Sequence, residues 1–371
     1  MSTPIDSLID NLIRPELKTL KPYESARRLF SMASTDEVET DWLNANENPF
    51  LPEINVNPAL FNRYPDFQPE PLIRAYAEYA GVNNENVLAS RGADEAIELL
   101  IRTFCQSDPS DQIVICPPTY GMYAISAETH GCSIKKIPLN TDLQLDLPAL
   151  LPEIDKSQII FVCSPNNPTG DVVNREDLIS LLEASSDKCL VVADEAYIEF
   201  CPEASVVKLI ERYPNLVVTR TLSKAFGLAG LRCGFTVANP AVIDAMKKVI
   251  APYPVPAPVA QIASQSLSQQ GLKWMRETVS LLNSLRDKFI EQAKSWSFVD
   301  VVYPSKTNFV LIKLKPNVTA EQVMQKFVSA NVLLRNQSKQ LMLDNTIRVS
   351  IGDEQQMNKV INLFTQLEQA L

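Results

Sequence analysis

Histidine is the scarcest chemically versatile residue in this sequence, because His130 is the only one in 371 residues. A single imidazole excludes zinc sites built from two or more histidines, and a Ser-His-Asp hydrolase would have to use His130 itself. Glycine is scarce too, with ten residues, and no window reads G-x-G-x-x-G or G-x-x-x-x-G-K-[ST]. The dinucleotide-binding and P-loop fingerprints are therefore absent.

Positive charge is also in short supply. The chain carries 34 Lys and Arg against 44 Asp and Glu, which gives a formal net charge of −10 and a pI near 4.9. Because affinity for a phosphate backbone needs clustered basic residues, this balance predicts no nucleic-acid partner. An anionic small molecule would have to be held by a local group of arginines.

Sequence features that direct proteins to membranes or to oxidising compartments are missing. No run of 18 apolar residues occurs, so neither a transmembrane helix nor a membrane partner is predicted. The residues after Met1 contain no basic and apolar stretches typical of a signal peptide. The seven cysteines are dispersed without a C-x-x-C pair, which indicates reduced thiols. We therefore expect a cytoplasmic protein without a metal site.

What the sequence does contain is an alternation of short β-branched runs with helical patterns, which predicts an α/β fold. We expect a large three-layer αβα domain with a mostly parallel sheet at 31–264. A smaller α+β C-terminal domain is predicted at 265–371, and an N-terminal arm at 1–30. The predicted strands are 112–116, 133–137, 158–163, 189–193, 216–219, 233–237, 308–313 and 347–351. The predicted helices include 92–104, 175–184, 204–212, 240–249, a long stretch at 260–294 and a C-terminal helix.

The most informative segment is Thr221-Leu-Ser-Lys-Ala-Phe226, which places Lys224 after a β-branched run among small and apolar neighbours. Lysine is rarely buried without a reason. A desolvated lysine has a lowered pKa and becomes a nucleophile able to form a Schiff base. The alternative is a solvated lysine in a loop between a strand and a helix.

Two further polar residues follow apolar strands. Asp194 comes directly after Leu190-Val-Val-Ala193, at the carboxyl edge where α/β sheets bind ligands. Its carboxylate suits a buried cation such as a pyridinium nitrogen, and the alternative is a helix cap. Asn167, in a segment rich in Pro, Asn and Gly, suits hydrogen bonding to a phenolate oxygen, and the alternative is an ordinary turn.

Candidate anion-binding residues occur in both halves of the chain. Ala93 and Asp94 begin the predicted helix 92–104, and helix N-termini favour phosphate. Arg232 follows Lys224 closely and could bind the same phosphate, or could form a surface ion pair.

Two more arginines lie in the predicted small domain. Arg348 interrupts an alternating apolar strand, where a buried charge needs a partner, and Arg335 lies shortly before it. The partner could be a substrate anion or an internal carboxylate.

Taken in this order along the chain, these segments resemble the fold-type I, pyridoxal-phosphate-dependent aminotransferases. The specific motifs are Asn-Pro-Thr-Gly at 167–170, Asp-Glu-Ala-Tyr at 194–197 and Ser-Lys-Ala-Phe at 223–226. The closer resemblance is to the histidinol-phosphate aminotransferase family, supported by Asn-Ala-Asn-Glu-Asn-Pro at 44–49 and Arg-Tyr-Pro at 63–65. It implies pyridoxal 5′-phosphate as cofactor and amino transfer between L-histidinol phosphate and 2-oxoglutarate. The products would be imidazole acetol phosphate and L-glutamate, in histidine biosynthesis.

The resemblance also implies roles around the cofactor ring. Lys224 would bind the cofactor covalently and then transfer protons, so that no catalytic histidine is required. Asp194 would pair with the ring nitrogen, and Tyr120 would stack on the ring. Asn167 and Tyr197 would hydrogen-bond the ring hydroxyl. The implied catalytic residues are Lys224, Asp194 and Tyr197.

Phosphate and substrate contacts are implied as well. Tyr64 would reach the cofactor phosphate of the neighbouring subunit, which predicts a homodimer with shared sites. The cofactor phosphate would otherwise be held by Ala93, Asp94, Ser223 and Arg232. The substrate would be bound by Arg335, Arg348, Tyr23 and Asn167.

Other functions fit parts of the same sequence. Within the superfamily, an aromatic amino-acid aminotransferase or a threonine-phosphate decarboxylase-like enzyme shares most of these motifs. A non-catalytic cofactor-binding or regulatory module is an alternative from another class, although every position that carries chemistry is filled. A Ser–Lys hydrolase built on Lys224 needs a serine three residues earlier, where Thr221 stands.

Overall fold

The computed structural model describes residues 12–18, 20 and 40–370. Tyr23 and most of the predicted arm at 1–30 lie outside the described residues. The strands are β1 Asp41–Trp42, β2 Val87–Ser90, β3 Gln112–Ile115, β4 Ser133–Lys136, β5 Ile159–Cys163, β6 Leu190–Asp194, β7 Leu216–Thr221, β8 Gly234–Ala238, β9 Val299–Val302, β10 Phe309–Leu314, β11 Val332–Leu333, β12 Arg335–Asn336 and β13 Thr346–Ser350. The α-helices are α1 Pro15–Lys18, α2 Glu70–Ala80, α3 Ala93–Phe104, α4 Met122–His130, α5 Leu147–Leu150, α6 Arg175–Ala184, α7 Pro240–Lys247, α8 Ala257–Ser266, α9 Gln269–Ala293, α10 Ala320–Ser329 and α11 Glu354–Glu368.

The larger sheet has the strand order β2-β8-β7-β6-β5-β3-β4. The strands from β7 to β4 run parallel, whereas β8 runs antiparallel to both β7 and β2. Alternate residues of β5 belong to different apolar clusters: Ile160 and Val162 pack on one side of the sheet, and Ile159 and Phe161 on the other. A sheet that is apolar on both faces must be covered on both, which confirms the predicted αβα layers and mostly parallel sheet.

A separate antiparallel sheet, β12-β13-β10-β9, forms the C-terminal part of the molecule. Its core includes a buried aromatic cluster from the surrounding helices and loops: Phe289, Trp296, Phe298, Phe327 and Phe364. The short strand β1 pairs in parallel with β11, and the carboxylate of Asp41 binds Lys359 Nζ at 2.6 Å. The residues that follow β1 therefore start from the C-terminal part of the fold. The domain boundaries stay a prediction.

Several helix starts in this fold are set by side chains that accept hydrogen bonds from free backbone N–H groups. Asn174 accepts from two backbone amides at the start of α6. Thr319 and Asp353 form reciprocal capping boxes at the starts of α10 and α11. Ser268 caps α9, which divides the predicted helical stretch 260–294 into α8 and α9.

One predicted helix is wrong. Residues 204–212 form the 3₁₀ segments Pro202–Ala204 and Val207–Glu211 instead of an α-helix. The physical reason is a tertiary contact, because Glu195 accepts from the backbone N–H of Val206 at 2.6 Å and from Ser205 Oγ at 3.1 Å. These bonds fix the backbone locally, and periodicity cannot reveal them. None of the helices among the described residues is long and apolar enough to cross a bilayer.

Candidate active site

A cavity of about 580 Å³ lies where three parallel strands end. Cys163, Asp194 and Thr221, the last residues of β5, β6 and β7, all line it. The carboxyl edge of such a sheet is the usual place for ligands in α/β folds. Of the residues singled out in the sequence, the cavity is lined by Ala93, Asp94, Tyr120, Asn167, Asp194, Tyr197, Ser223, Lys224, Arg232, Arg335 and Arg348.

Lys224 follows β7 and reaches into the cavity. Its Nζ donates to the backbone carbonyl of Ala45 at 3.1 Å and lies 5.7 Å from the ring centre of Tyr197. Loss of hydration lowers the pKa of Lys224 to about 8, and the positive charge of Arg348 acts in the same direction. A considerable fraction of the amine is therefore neutral near pH 8, as attack on an aldehyde carbon requires.

Asp194 is buried at the end of β6 and keeps two hydrogen-bond donors. Tyr123 Oη donates to Oδ2 at 2.6 Å, and the backbone N–H of Ala196 donates to Oδ1 at 3.1 Å. Burial raises the pKa of Asp194 to about 6, and both hydrogen bonds oppose that rise. A carboxylate in such surroundings gains strongly from a nearby cation, because neither charge is then left unpaired in a low-dielectric site.

Tyr197 and Asn167 lie on the same cavity and are fixed by polar contacts. Tyr197 Oη accepts from Asn46 Nδ2 at 3.0 Å, and its ring meets Phe309 edge-on with centres 5.3 Å apart. Asn167 follows β5, and its Oδ1 accepts from Arg348 Nη1. Both side chains are therefore held at defined positions beside Lys224.

The N-terminus of α3 and Arg232 form one cationic corner of the cavity. Arg232 Nη1 donates to Ser223 Oγ at 3.3 Å, and Nη2 donates to Asp94 Oδ2 at 3.2 Å. Gly92 has φ +86°, and a Cβ there would lie 2.7 Å from Arg232 Nη2. Glycine thus lets the guanidinium approach the free N–H groups of the helix. Backbone amides, a hydroxyl and a guanidinium together suit a phosphate.

Arg335 and Arg348 form a second cationic corner. They are direct partners across β12 and β13, which puts their side chains on one face of the sheet. Arg348 is buried, and its Nη2 donates to the backbone carbonyl of Asn44 at 3.0 Å. Like charges placed directly opposite each other are unfavourable, so an anion bound between them would relieve the repulsion.

Two of the predicted site residues are not part of this cavity as described. Tyr64 is 82% exposed, stacks on Tyr253 with ring centres 4.5 Å apart, and does not line the cavity of its own chain. Tyr23 lies outside the described residues.

Sequence reasoning missed several residues that shape the site. Tyr123 contacts Asp194, and Asn44, Asn46 and Gln337 line the cavity. Asn44 and Asn46 lie in the segment Asn-Ala-Asn-Glu-Asn-Pro at 44–49, whose density of asparagine was a usable signal. Tyr123 carried none, because an aromatic residue on a buried helix face is indistinguishable from core.

Comparison with known proteins agrees with this geometry. The family model described as aminotransferase class I and II matches residues 39–364. A histidinol-phosphate aminotransferase of Aeromonas hydrophila subsp. hydrophila is 52% identical over 359 residues, which cover 97% of this chain and 98% of that protein. Histidinol-phosphate aminotransferase 1 of Pasteurella multocida is 47% identical over 359 residues, covering 97% and 99%.

A solved structure has the same fold. The histidinol-phosphate aminotransferase of Sinorhizobium meliloti, in complex with pyridoxal-5′-phosphate, matches with a TM-score of 0.85 at 22% identity and covers 97% of this chain and 98% of that chain. The family model covers most of the chain, and both curated relatives match it over nearly their whole length. The chain belongs to the class I and II aminotransferases and, within them, to the histidinol-phosphate aminotransferase family.

Proposed function

We propose that the protein transfers an amino group between L-histidinol phosphate and 2-oxoglutarate, giving imidazole acetol phosphate and L-glutamate. This is a step of histidine biosynthesis, which we place in the cytoplasm. The observation that carries the proposal is one cavity that holds a lysine of lowered pKa together with two separate cationic corners. One corner suits a cofactor phosphate, and the other suits the anion of a substrate.

The residues of the cavity fit pyridoxal 5′-phosphate, the cofactor of this family. Lys224 offers an amine for the aldehyde, and buried Asp194 offers a carboxylate for the ring nitrogen. Ser223, Arg232 and the N-terminus of α3 offer donors for the phosphate. When bound, the group withdraws electrons from the substrate and so makes the proton on the substrate's α-carbon removable.

The protein's own residues supply orientation and proton transfer. Asp194 holds the positive charge at one end of the cavity, while Asn167 and Tyr197 fix the ring hydroxyl from the side. Lys224 Nζ moves the proton from the α-carbon of the substrate, because it is the mobile base nearest these groups. No histidine is needed for this step, in agreement with the single histidine of the chain.

Arg335 and Arg348 account for the use of two chemically different substrates. Histidinol phosphate carries a phosphate ester and no α-carboxylate, whereas glutamate carries carboxylates. A guanidinium forks to either anion with two parallel N–H groups, so the same pair serves both.

The exposed apolar residues beside Tyr64 support a homodimer. Phe61 and Tyr253 are exposed near it in sequence or in space, and the same stretch of chain exposes Leu51, Ile54, Val56 and Phe67. An apolar surface of this kind indicates a protein partner, and we propose a second copy of this chain. Tyr64 would then reach the cofactor phosphate of the neighbouring subunit.

A substrate panel tests the proposed function. Purified protein with pyridoxal 5′-phosphate and 2-oxoglutarate is supplied in turn with L-histidinol phosphate, phenylalanine and threonine phosphate, and glutamate is measured. We expect the highest kcat/KM for histidinol phosphate, because only that substrate joins an amine to a phosphate and an imidazole. A higher value for phenylalanine, or carbon dioxide release from threonine phosphate, would contradict it.

A further inference from the structure

A buried chain of hydrogen bonds connects the C-terminal sheet to Tyr197. Ser350 is the last residue of β13, and Asn46 lies between it and Tyr197. The three side chains belong to residues that are at most 4% exposed. Because these residues are buried, the contacts of their polar atoms within the protein are constrained.

The direction of this chain is given by the orientation of the Asn46 amide. The backbone N–H of Asn46 donates to Ser350 Oγ at 2.9 Å, so that oxygen is an acceptor there. The single hydroxyl proton of Ser350 is then free to go to Asn46 Oδ1, also at 2.9 Å. The amide oxygen of Asn46 faces Ser350, and its Nδ2 faces Tyr197 and donates at 3.0 Å. The phenol oxygen of Tyr197 accepts, and its own proton points elsewhere.

The position of Asn46 is itself held from two sides. Asn308, just before β10, donates from Nδ2 to the backbone carbonyl of Asn46 at 3.0 Å. The preceding carbonyl, of Ala45, accepts from Lys224 Nζ at 3.1 Å. Asn46 has φ +53°, a conformation that asparagine tolerates better than most residues. The same short segment thus contacts Tyr197 and Lys224 together.

We propose that Ser350 and Asn46 are positioning residues that make Tyr197 a one-way hydrogen-bond donor toward the cavity. With Asn46 donating to it, the phenol directs its proton to the ring oxygen of the bound cofactor, where it stabilises negative charge. No described residue accepts that proton. The inference deepens the proposed function and rests on it, since the acceptor belongs to pyridoxal 5′-phosphate.

The test is the pH midpoint of the visible absorption change of the holoenzyme. A hydrogen-bond donor to the ring oxygen stabilises negative charge on that oxygen. This charge would otherwise hold a proton on the nitrogen joined to Lys224, so the donor lowers the pH midpoint. Tyr197→Phe should raise the midpoint by about one pH unit, the size of one hydrogen bond to a charged oxygen. Ser350→Ala should raise it by a smaller amount, because the amide of Asn46 is then free to turn.

A double-mutant cycle separates positioning from general damage. Ser350→Ala should add no shift in the Tyr197→Phe background, because its effect passes through the phenol. The proposal would be overturned if Ser350→Ala gave the same shift in both backgrounds. It would also be overturned if Ser350→Ala gave no shift while Tyr197→Phe gave one. If Ser350→Ala yields no folded protein, Asn46→Asp takes its place. The new carboxylate would accept the phenol proton, so the shift caused by Asn46→Asp should be larger with Tyr197 present. Equal shifts with and without Tyr197 would again contradict the positioning proposal.

The same experiment distinguishes the two proposals. A wild-type protein that develops no visible band with pyridoxal 5′-phosphate contradicts the proposed function, and the positioning proposal with it. A visible band whose pH midpoint is unchanged by Ser350→Ala contradicts the positioning proposal alone.

Discussion

At the scale of single residues, the cavity shifts the pKa values of two ionisable groups in opposite directions. Burial lowers the pKa of Lys224 to about 8 and raises that of Asp194 to about 6. Each shift disfavours the charged form of the side chain. The protonation state of either group therefore changes readily when a ligand of opposite charge binds beside it.

Tyr123→Phe tests how much Asp194 depends on its phenol donor. Losing the hydrogen bond at 2.6 Å should raise the pKa of Asp194 further and weaken its hold on a cationic ring nitrogen. We expect kcat/KM to fall by about tenfold to a hundredfold, with the acid limb of the pH–rate profile moved to higher pH. Phenylalanine keeps the stacking on Phe161, so folding should be intact. An unmoved acid limb would contradict the role of Tyr123.

Glu199→Gln tests a buried carboxyl outside the cavity. Burial raises the pKa of Glu199 from 4.5 to about 7, against the opposing charge of Arg220 and a hydrogen bond from Tyr79, and Glu195 acts with burial. The folded state therefore keeps this proton at pH values where the unfolded state has lost it. Its contribution to stability is complete below about 4.5 and is lost as pH rises through about 7.

The measurement is the melting temperature of the wild type and of Glu199→Gln between pH 5 and pH 8. The variant should gain stability relative to the wild type as pH rises, because glutamine cannot ionise. Parallel curves over this range would mean that Glu199 does not carry the effect.

At the scale of secondary structure, strand ends determine where chemistry is placed. The central parallel strands β5, β6 and β7 were predictable, because their apolar runs lead into segments that contain Asn167, Asp194 and Lys224. The site residues on β5, β6 and β7 followed from that reasoning. The pairing of β12 with β13 was not predictable, since a two-residue strand has no periodicity. The placement of Arg335 opposite Arg348 across these strands is a property of register, which the sequence does not display.

Arg335→Ala tests this cross-strand pair as an anion clamp. Removing one guanidinium should lower kcat/KM for histidinol phosphate. The drop should correspond to a loss of about 2–4 kcal/mol in transition-state stabilisation, the cost of losing a charge-assisted contact. Lys339→Ala is the matched control, because Lys339 is an exposed cation in the loop that follows β12. An Arg335→Ala variant as active as that control would show that Arg348 binds the phosphate without it.

At the scale of the whole molecule, two sheets and one crossing segment build the site. β1 pairs with β11 and then leads into residues 44–48, which contact Tyr197, Lys224 and Arg348. The α/β class and the second, smaller sheet followed from the sequence, but this crossing did not. Long-range contacts between a two-residue strand and the C-terminal part depend on tertiary packing, which local patterns do not encode.

A subunit-mixing experiment tests the homodimer and the place of Tyr64. Tyr64→Ala should bind pyridoxal 5′-phosphate more weakly, because one phosphate contact is lost. Mixing it with an excess of Lys224→Ala and allowing subunits to exchange should restore affinity at the sites that retain Lys224. Those sites then receive Tyr64 from the partner. Wild type mixed with Lys224→Ala is the control, and an uncorrected affinity would place Tyr64 outside the neighbouring site.

The most direct test of the account is to locate the covalent bond between the protein and its cofactor. Holoenzyme reduced with borohydride and digested with protease should yield one modified peptide, with pyridoxal 5′-phosphate attached at Lys224, and Lys224→Ala should show neither that peptide nor the visible band. Modification at another lysine, or a wild-type protein that stays colourless with the cofactor, would contradict the central claim.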